Sequence, residues 1–257
     1  MNVVKNIVFT DKTLQILETG NRYGNMNTGE AFYPAGYTLN MRKGEFLDRR
    51  IRVGKDSGFD GHKMFMADQT HKSGTWFEIT KDYVEANPNG WTDIPEDILI
   101  VTDKCPGVVI GHPVADCPVV MAYDIKKGVL AISHCSAELV DKKMPMLLID
   151  ALEEAHPTKD KDIMTYISAC AGRSWTYDTY PKWAIDDIWK DNITLEEDGL
   201  YHIDLKKVVL RQLLERNVGG VFMSPVDTIS NPEFYSNSAA RFNPKKNGRN
   251  FSGAFFR

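Results

Sequence analysis

Long apolar runs, excess positive charge and an export signal are all missing from this chain of 257 residues. No run of about 18 apolar residues occurs, so no segment is expected to cross a membrane as a helix. The formal net charge of −4 gives no support for nucleic-acid binding, which usually needs a basic face. The first residues contain neither an apolar signal core nor a small-residue cleavage site. The sequence therefore predicts a cytoplasmic protein with neither a membrane nor a nucleic acid as its partner.

Cysteine is also sparse, and its spacing excludes common cysteine-based sites. Without an export signal, four cysteines in a chain of this length argue against a disulfide framework: Cys105, Cys117, Cys135 and Cys170. No Cys-x-x-Cys pair occurs, so a zinc ribbon is excluded. A metal site would have to combine ligands from separate parts of the chain, with the six histidines as the remaining candidates.

The composition that is present is that of an ordinary globular protein, with 42% hydrophobic and 26% charged residues. The length is sufficient for one large core, and no internal repeat or linker interrupts the chain. Predicted strands and helices are mixed throughout. This mixture predicts one α/β (α+β) domain over residues 1–257, with a mixed β-sheet flanked by helices.

The most informative stretch is residues 107–137, where three apolar runs predict buried strands at 107–111, 118–123 and 128–133. Residues 124–128 (DIKKG) predict a tight turn between the second and third strands. Cys117 directly precedes the second strand, and His134 directly follows the third. Because the strands of a hairpin are antiparallel, their outer ends meet. We therefore expect a thiol and an imidazole to lie together at one sheet edge.

Periodicity predicts the remaining elements. Strands are expected at 64–68, 75–80, 97–102, 162–168 and 220–223, and helices at 137–155, 179–190 and after Asp204. Pro145 should break the first helix or delay its start. Asp204 should cap the last helix, whose buried stripe includes Leu213 and Leu214. Residues 42–55, 82–95 and 231–257 are predicted to be a solvated charged surface, a polar loop and a polar tail, respectively.

Several single residues keep more than one interpretation. His71 lies on a predicted turn between strands, where functional side chains often occur. His112 has three interpretations: it contacts a metal ligand, it is a further metal ligand, or it is an ordinary strand residue. Asp116 either orients a ligand or bonds within a turn. His202 is undecided, and Cys135 is expected to serve packing.

Separated motifs resemble one family. They are Gln69-Thr70-His71; Ala115-Asp116-Cys117-Pro118; His134, which matches the first residue of the family's His-Ala-Gly-Trp-Arg-Gly turn; Tyr201-His202-Ile203-Asp204-Leu205; and a loose match from Ser236 to Arg241 followed by Gly248-Arg249. Through these motifs the chain resembles the YfiH family, also called the laccase-domain or multicopper polyphenol oxidoreductase-like family, whose relatives include FAMIN. The matched span is roughly residues 65–250.

The resemblance implies a YfiH-like fold and a zinc ion held by His71, Cys117 and His134. Two imidazoles and one thiolate leave a fourth tetrahedral position open, which is typical of catalytic zinc. The family implies phosphorolysis of adenosine, inosine, guanosine and methylthioadenosine, and adenosine deamination by attack at C6. Cys117 and His134 would then be catalytic. Gln69, Arg173 and Arg249 would bind the nucleoside and phosphate.

The chain also departs from the family pattern. Where the family has His-Ala-Gly-Trp-Arg-Gly, this chain has His134-Cys135-Ser136-Ala137-Glu138-Leu139, so Glu138 replaces an arginine. The family's proline beside Cys170 is absent, and Lys72 replaces the glycine after the Gln-x-His motif. These changes affect the substrate surroundings more than the metal triad, and they indicate a divergent member.

Two other hypotheses remain besides a zinc-dependent nucleoside enzyme. A metal-free hydrolase could use Cys117 as nucleophile and His134 as base, and a related version edits cell-wall precursors. Alternatively, a non-catalytic binding protein could retain the metal for stability. Copper is disfavoured, because a multicopper oxidase needs a trinuclear cluster and the chain has no His-x-His pair. The sequence does not specify the oligomeric state.

Overall fold

Two mixed β-sheets pack face to face, and helices cover their outer faces. The structure, a computed structural model, describes residues 7–8, 14–26, 43–67, 74–90 and 94–257. Within these ranges the strands are β1 Ile7–Val8, β2 Leu14–Glu18, β3 Met64–Met66, β4 Trp76–Ile79, β5 Ile98–Thr102, β6 Val109–Val114, β7 Val119–Asp124, β8 Val129–His134, β9 Ile163–Ile167, β10 Trp175–Tyr177, β11 Ile193–Leu195, β12 Tyr201–Ile203, β13 Gly220–Met223 and β14 Asn250–Phe256.

The strands of the described ranges form three sheets. A six-stranded sheet has the order β13-β9-β7-β8-β5-β4, with parallel pairs at both edges and antiparallel pairs between them. A five-stranded sheet has the order β1-β2-β14-β6-β3, in which only β3 and β6 are parallel. A small third sheet has the order β10-β12-β11.

Helices within the described ranges flank these sheets: α1 Lys43–Ser57, α2 Lys81–Ala86, α3 Ala137–Asp141, α4 Met144–Ala155, α5 Leu205–Glu215 and α6 Asn237–Ala240. The predicted break at Pro145 is confirmed, because α4 begins at Met144 with this proline in its first turn. The predicted cap is also confirmed, because the Asp204 carboxylate accepts a hydrogen bond from the Lys207 amide. No helix of the described ranges is long and apolar enough to cross a membrane.

Alternating side chains divide the core into layers. On β5, Leu99 and Val101 face the five-stranded sheet, whereas Ile98 and Ile100 pack with α3, α4 and α5. A third apolar cluster joins α1 to the outer face of the five-stranded sheet through Val53. The predicted fold class, a single α/β domain with mixed sheet flanked by helices, is confirmed, with several sheets instead of one. That this domain spans residues 1–257 stays a prediction.

Some local predictions are wrong. The predicted helix at 179–190 is an irregular segment with a single 3₁₀ turn at Asp187–Trp189. The predicted loop at 82–95 contains most of α2. The charged stretch at 42–55, for which no secondary structure was predicted, is mostly α1, and it departs from a solvated surface at the buried Arg50 and Val53. The predicted polar tail contains β14, which is buried throughout. Leu214 is 60% exposed and lies outside the buried stripe of α5.

Candidate active site

The β7–β8 hairpin brings Cys117 and His134 to the same end of the six-stranded sheet. Val119 pairs with His134, and the Cys135 amide donates to the Pro118 carbonyl over 2.9 Å. The predicted hairpin is therefore confirmed, and Gly128 closes its turn with a φ of 63°. Cys117 and His134 both line an open cavity of about 290 Å³. This volume is near the lower end of the range for small-molecule sites, about 300–1,000 Å³.

The cavity combines donor, aromatic and cationic side chains. Its other lining residues are Pro113, Val114, Ala115, Asp116, Ser136, Trp175, Tyr177, Asn237, Ser238, Arg241 and Arg249. The side chains come from β6, the β7–β8 hairpin, the third sheet and the segment around α6. The site is therefore assembled where several elements meet, which is a usual place for a ligand site.

Burial dominates the electrostatics of the Cys117 thiol. It raises the pKa of Cys117 to about 12, and the neighbouring Asp116 carboxylate acts in the same direction. The Arg249 guanidinium and a hydrogen bond from the Ala137 backbone oppose this increase in the pKa. A divalent cation at the sulfur would stabilise the thiolate strongly, because a coordinating thiol is deprotonated.

His112 lies behind His134, and the centroids of the two rings are 6.1 Å apart. His134 is 6% exposed, whereas His112 is fully buried. Neither ring nitrogen of His112 makes a well-formed hydrogen bond to a described residue. Burial lowers the pKa of His112 to about 4, an effect that the Ile132 backbone partly offsets. His112 is thus a neutral imidazole at physiological pH, packed beside His134.

Asp116 joins the segments that surround the cavity. Its carboxylate accepts a hydrogen bond from the Thr228 hydroxyl over 2.9 Å and another from the Ser238 amide over 2.7 Å. Its carbonyl accepts a hydrogen bond from the Ala171 amide over 2.7 Å. The sequence left open whether Asp116 orients a ligand or bonds within a turn, and the structure shows that it bonds to segments distant in the chain. Both carboxylate oxygens are engaged within the protein.

The predicted substrate-binding arginines lie in different places. Arg249 lines the cavity of Cys117 and His134, together with Arg241. Arg173 is exposed and forms an ion pair with Glu196 at 2.5 Å, in a separate small pocket that also contains His202. The structure therefore does not bring Arg173 to the cavity.

His202, which the sequence left undecided, is held by two hydrogen bonds. Its ring nitrogens contact the Asp198 carboxylate and the Arg173 carbonyl, each over 2.9 Å. The bond to Asp198, followed by that to the Arg173 backbone, raises the pKa of His202. These contacts belong to the surface around the third sheet, away from Cys117.

The donor set for a metal is only partly within the described residues. Cys117 and His134 supply a thiol and an imidazole, which are donors that zinc prefers. The described ranges contain no group of three or more His, Cys, Asp or Glu side chains that could hold a metal ion. The predicted third ligand, His71, and the predicted substrate contact, Gln69, lie outside the described residues.

Sequence comparison identifies the family. A family model described as multi-copper polyphenol oxidoreductase laccase matches residues 35–257. The chain belongs to this family. No curated protein sequence matches the chain. The family's name indicates an association with metal, and it does not specify zinc.

Solved structures share the fold of this family member. The hypothetical protein YfiH from Bacillus licheniformis has a TM-score of 0.70 and 19% identity, covering 95% of this chain and 93% of that chain. YlmD from Geobacillus stearothermophilus has a TM-score of 0.72 and 18% identity, covering 95% and 92%. Neisseria meningitidis protein NMB0706, assigned to the family model DUF152, has a TM-score of 0.67 and 14% identity, covering 95% and 94%. These similarities show a YfiH-like fold.

Sequence reasoning missed the two aromatic residues of the cavity lining, and it did not place Arg241 in the cavity. Trp175 and Tyr177 follow the turn after Gly172, and Thr176 separates them. This alternation places both aromatic side chains on one side of a strand. The signal was present, but the strand is short and pairs with β12, which is distant in sequence. Arg241 belonged to the loose C-terminal match to the family and to the predicted polar tail, and the sequence assigned it no role in binding.

Proposed function

We propose that the protein is a zinc-dependent purine nucleoside enzyme that carries out phosphorolysis and adenosine deamination. One observation supports this proposal above the others. Cys117 and His134 share a ligand-sized cavity with Arg241 and Arg249. A thiol and an imidazole that could bind a metal, in the same cavity as two guanidinium groups that could bind an anion, would suit a reaction between a nucleoside and phosphate.

Cys117 and His134 would hold the zinc ion, with His71 as the expected third ligand. A zinc ion with an open position polarises a substrate oxygen and lowers the pKa of bound water towards about 7. The buried His112 ring lies beside His134, with 6.1 Å between the two ring centroids. Gln69 stays a predicted contact of the nucleoside.

Arg241 and Arg249 would bind and orient the phosphate. A guanidinium donates paired hydrogen bonds to phosphate oxygens in a fixed plane. In phosphorolysis a phosphate oxygen forms a bond to C1′ of the ribose while the bond from C1′ to the purine nitrogen breaks. When the protein holds the phosphate and the nucleoside in position, the two react as oriented groups within one complex. Glu138, which replaces the family's arginine, is exposed and does not line the cavity.

A product assay tests the proposal. Purified protein is incubated with adenosine, with and without phosphate, and the products are separated by chromatography. Adenine release that requires phosphate supports phosphorolysis, and inosine formation without phosphate supports deamination. Cys117→Ala should abolish both, whereas Cys105→Ala, which removes a buried thiol that does not line the cavity, should retain them. Failure of zinc-loaded protein to convert any purine nucleoside would refute the proposal.

Chelation distinguishes the alternatives. A metal-free Cys117–His134 hydrolase, including one that edits cell-wall precursors, should remain active after zinc removal. A non-catalytic binding protein should show no turnover, and its Cys117→Ala variant should lose folding stability along with bound metal. Loss of turnover on chelation with recovery on adding zinc supports the zinc enzyme.

A further inference from the structure

Two aromatic side chains form one wall of the cavity that contains Cys117. Trp175 and Tyr177 lie on β10, and both line the cavity. Their ring centroids are 5.4 Å apart, and the ring planes meet at 60°. Both side chains are only partly buried, so part of each remains accessible. The wall is therefore available for contact with a ligand.

A row of indoles supports this wall from the protein core. Trp183 stacks on Trp175 with a centroid distance of 5.6 Å and an interplanar angle of 13°. Trp189 is fully buried and contacts Trp183 edge to face at 4.8 Å. Three aromatic rings therefore run from the core to the cavity. A wall supported in this way keeps its orientation when a ligand arrives.

A carboxylate from the helical layer fixes the irregular segment that carries Trp183. Asp141 accepts a hydrogen bond from the Trp189 indole nitrogen over 2.8 Å. The same Asp141 oxygen accepts hydrogen bonds from the amides of Ile185 and Asp186 over 3.1 and 3.0 Å. The segment predicted to be a helix is thus held by tertiary bonds, and its indoles support β10.

We infer that Trp175 and Tyr177 form the subsite for the purine base and determine the substrate class by stacking on its ring. This inference rests on the proposed function, because it takes the cavity as the nucleoside site. Stacking of a base on an aromatic side chain contributes about 1–3 kcal/mol and depends little on which base is present. The subsite therefore binds adenine, hypoxanthine and guanine similarly, and it favours them over ligands without an aromatic ring.

Direct binding of the free base tests the subsite without requiring catalysis. Adenine is titrated into the full-length protein by calorimetry and tryptophan fluorescence, with ribose as the non-aromatic probe. Trp175→Leu and Tyr177→Leu should each weaken adenine binding by about 5- to 150-fold, which corresponds to the stacking contribution. Trp175→Phe should restore most of the affinity. Tyr180→Leu is the matched control, because Tyr180 is 41% exposed and contacts Tyr201 instead of the cavity.

Steady-state kinetics separate a base subsite from a merely structural role. In protein with phosphorylase activity, Trp175→Leu should raise KM for the nucleoside while leaving KM for phosphate unchanged. If Trp175→Leu does not fold, Tyr177→Leu and Trp175→Phe provide the same comparison. Unchanged adenine affinity in folded Trp175→Leu and Tyr177→Leu would overturn the inference, as would absence of adenine binding to the wild-type protein.

The two proposals fail in different ways. Adenine binding that weakens in the variants, in a protein that turns over no nucleoside, supports the base subsite and refutes the proposed reaction. Normal nucleoside turnover with wild-type KM in both leucine variants refutes the base subsite and supports the proposed reaction.

Discussion

The Asp116 carboxylate gives a sharp prediction because both of its partners are known. In Asp116→Ala, the fully buried Thr228 hydroxyl and the Ser238 amide lose their acceptor. A hydrogen bond to a charged group contributes about 1.5–3 kcal/mol, and a buried donor without an acceptor adds its own desolvation cost. Because Ser238 is only partly buried, water can replace part of its bond. We expect the free energy of unfolding to fall by about 2–4 kcal/mol.

Asp116→Asn is the matched variant. Its amide oxygen can accept from Ser238, and its amide nitrogen can donate to Thr228 once the hydroxyl turns. Only the charge is lost, so the free energy of unfolding should fall by about 1 kcal/mol. Urea unfolding at pH 7 measures both variants. A double-mutant cycle with Thr228→Val should give a coupling energy of about 1–2 kcal/mol.

Asp116→Ala should also affect the side of the cavity that carries Arg241. Asp116 holds Ser238, and the adjoining segment carries Arg241. In an active enzyme, Asp116→Ala should therefore raise KM for phosphate more than Asp116→Asn does. The reasoning is refuted if Asp116→Ala unfolds within about 0.5 kcal/mol of the wild-type protein, or if its effect adds independently to that of Thr228→Val.

Three further predictions concern stability and metal. Burial raises the pKa of Glu18 above 4.5, so the stability contributed by its protonated form is present below pH 4.5 and is lost as pH rises through the folded-state pKa. The unfolding free energy of Glu18→Gln should therefore rise relative to wild type as pH increases above 4.5, and a difference independent of pH would contradict this. Phe251→Ala should lower the unfolding free energy by about 3–5 kcal/mol because it empties a buried site in β14, whereas Phe242→Ala, at a 91% exposed position, should change it by less than about 0.5 kcal/mol. Chelation should lower both turnover and the melting temperature. Zinc but not magnesium should restore them, because a thiol and an imidazole favour zinc. Equal recovery with magnesium would contradict a metal site built from a thiol and an imidazole.

The hairpin at the site could be predicted from sequence because its determinants are local. Two apolar runs flank a turn in which the Asp124 carboxylate accepts hydrogen bonds from the amides of Lys126 and Lys127. Gly128 supplies the positive φ that ends the turn. Position on a short hairpin then determines where Cys117 and His134 lie. The chemistry of the pair stays a prediction, because His71 lies outside the described residues.

The features that could not be predicted depend on partners distant in the chain. Arg50 belongs to a charged stretch, yet its guanidinium is buried and donates to the carbonyls of Gly61, Met64 and Asn89. The segment at 179–190 has helix-like spacing, but the bonds to Asp141 and the indole stack override that local preference. Neither effect leaves a periodic pattern in the segment itself.

The location of β14 has a consequence for biosynthesis. This strand lies between β2 and β6, and Phe251 exchanges hydrogen bonds with Thr19, which is 232 positions earlier. A growing chain therefore makes β2 and β6 long before the strand that joins them, and the five-stranded sheet cannot close until residues 250–256 are available. Arg241 and Arg249 are synthesised just before that strand. Closure of the sheet and completion of the cavity's cationic side are thus late events in synthesis of the chain.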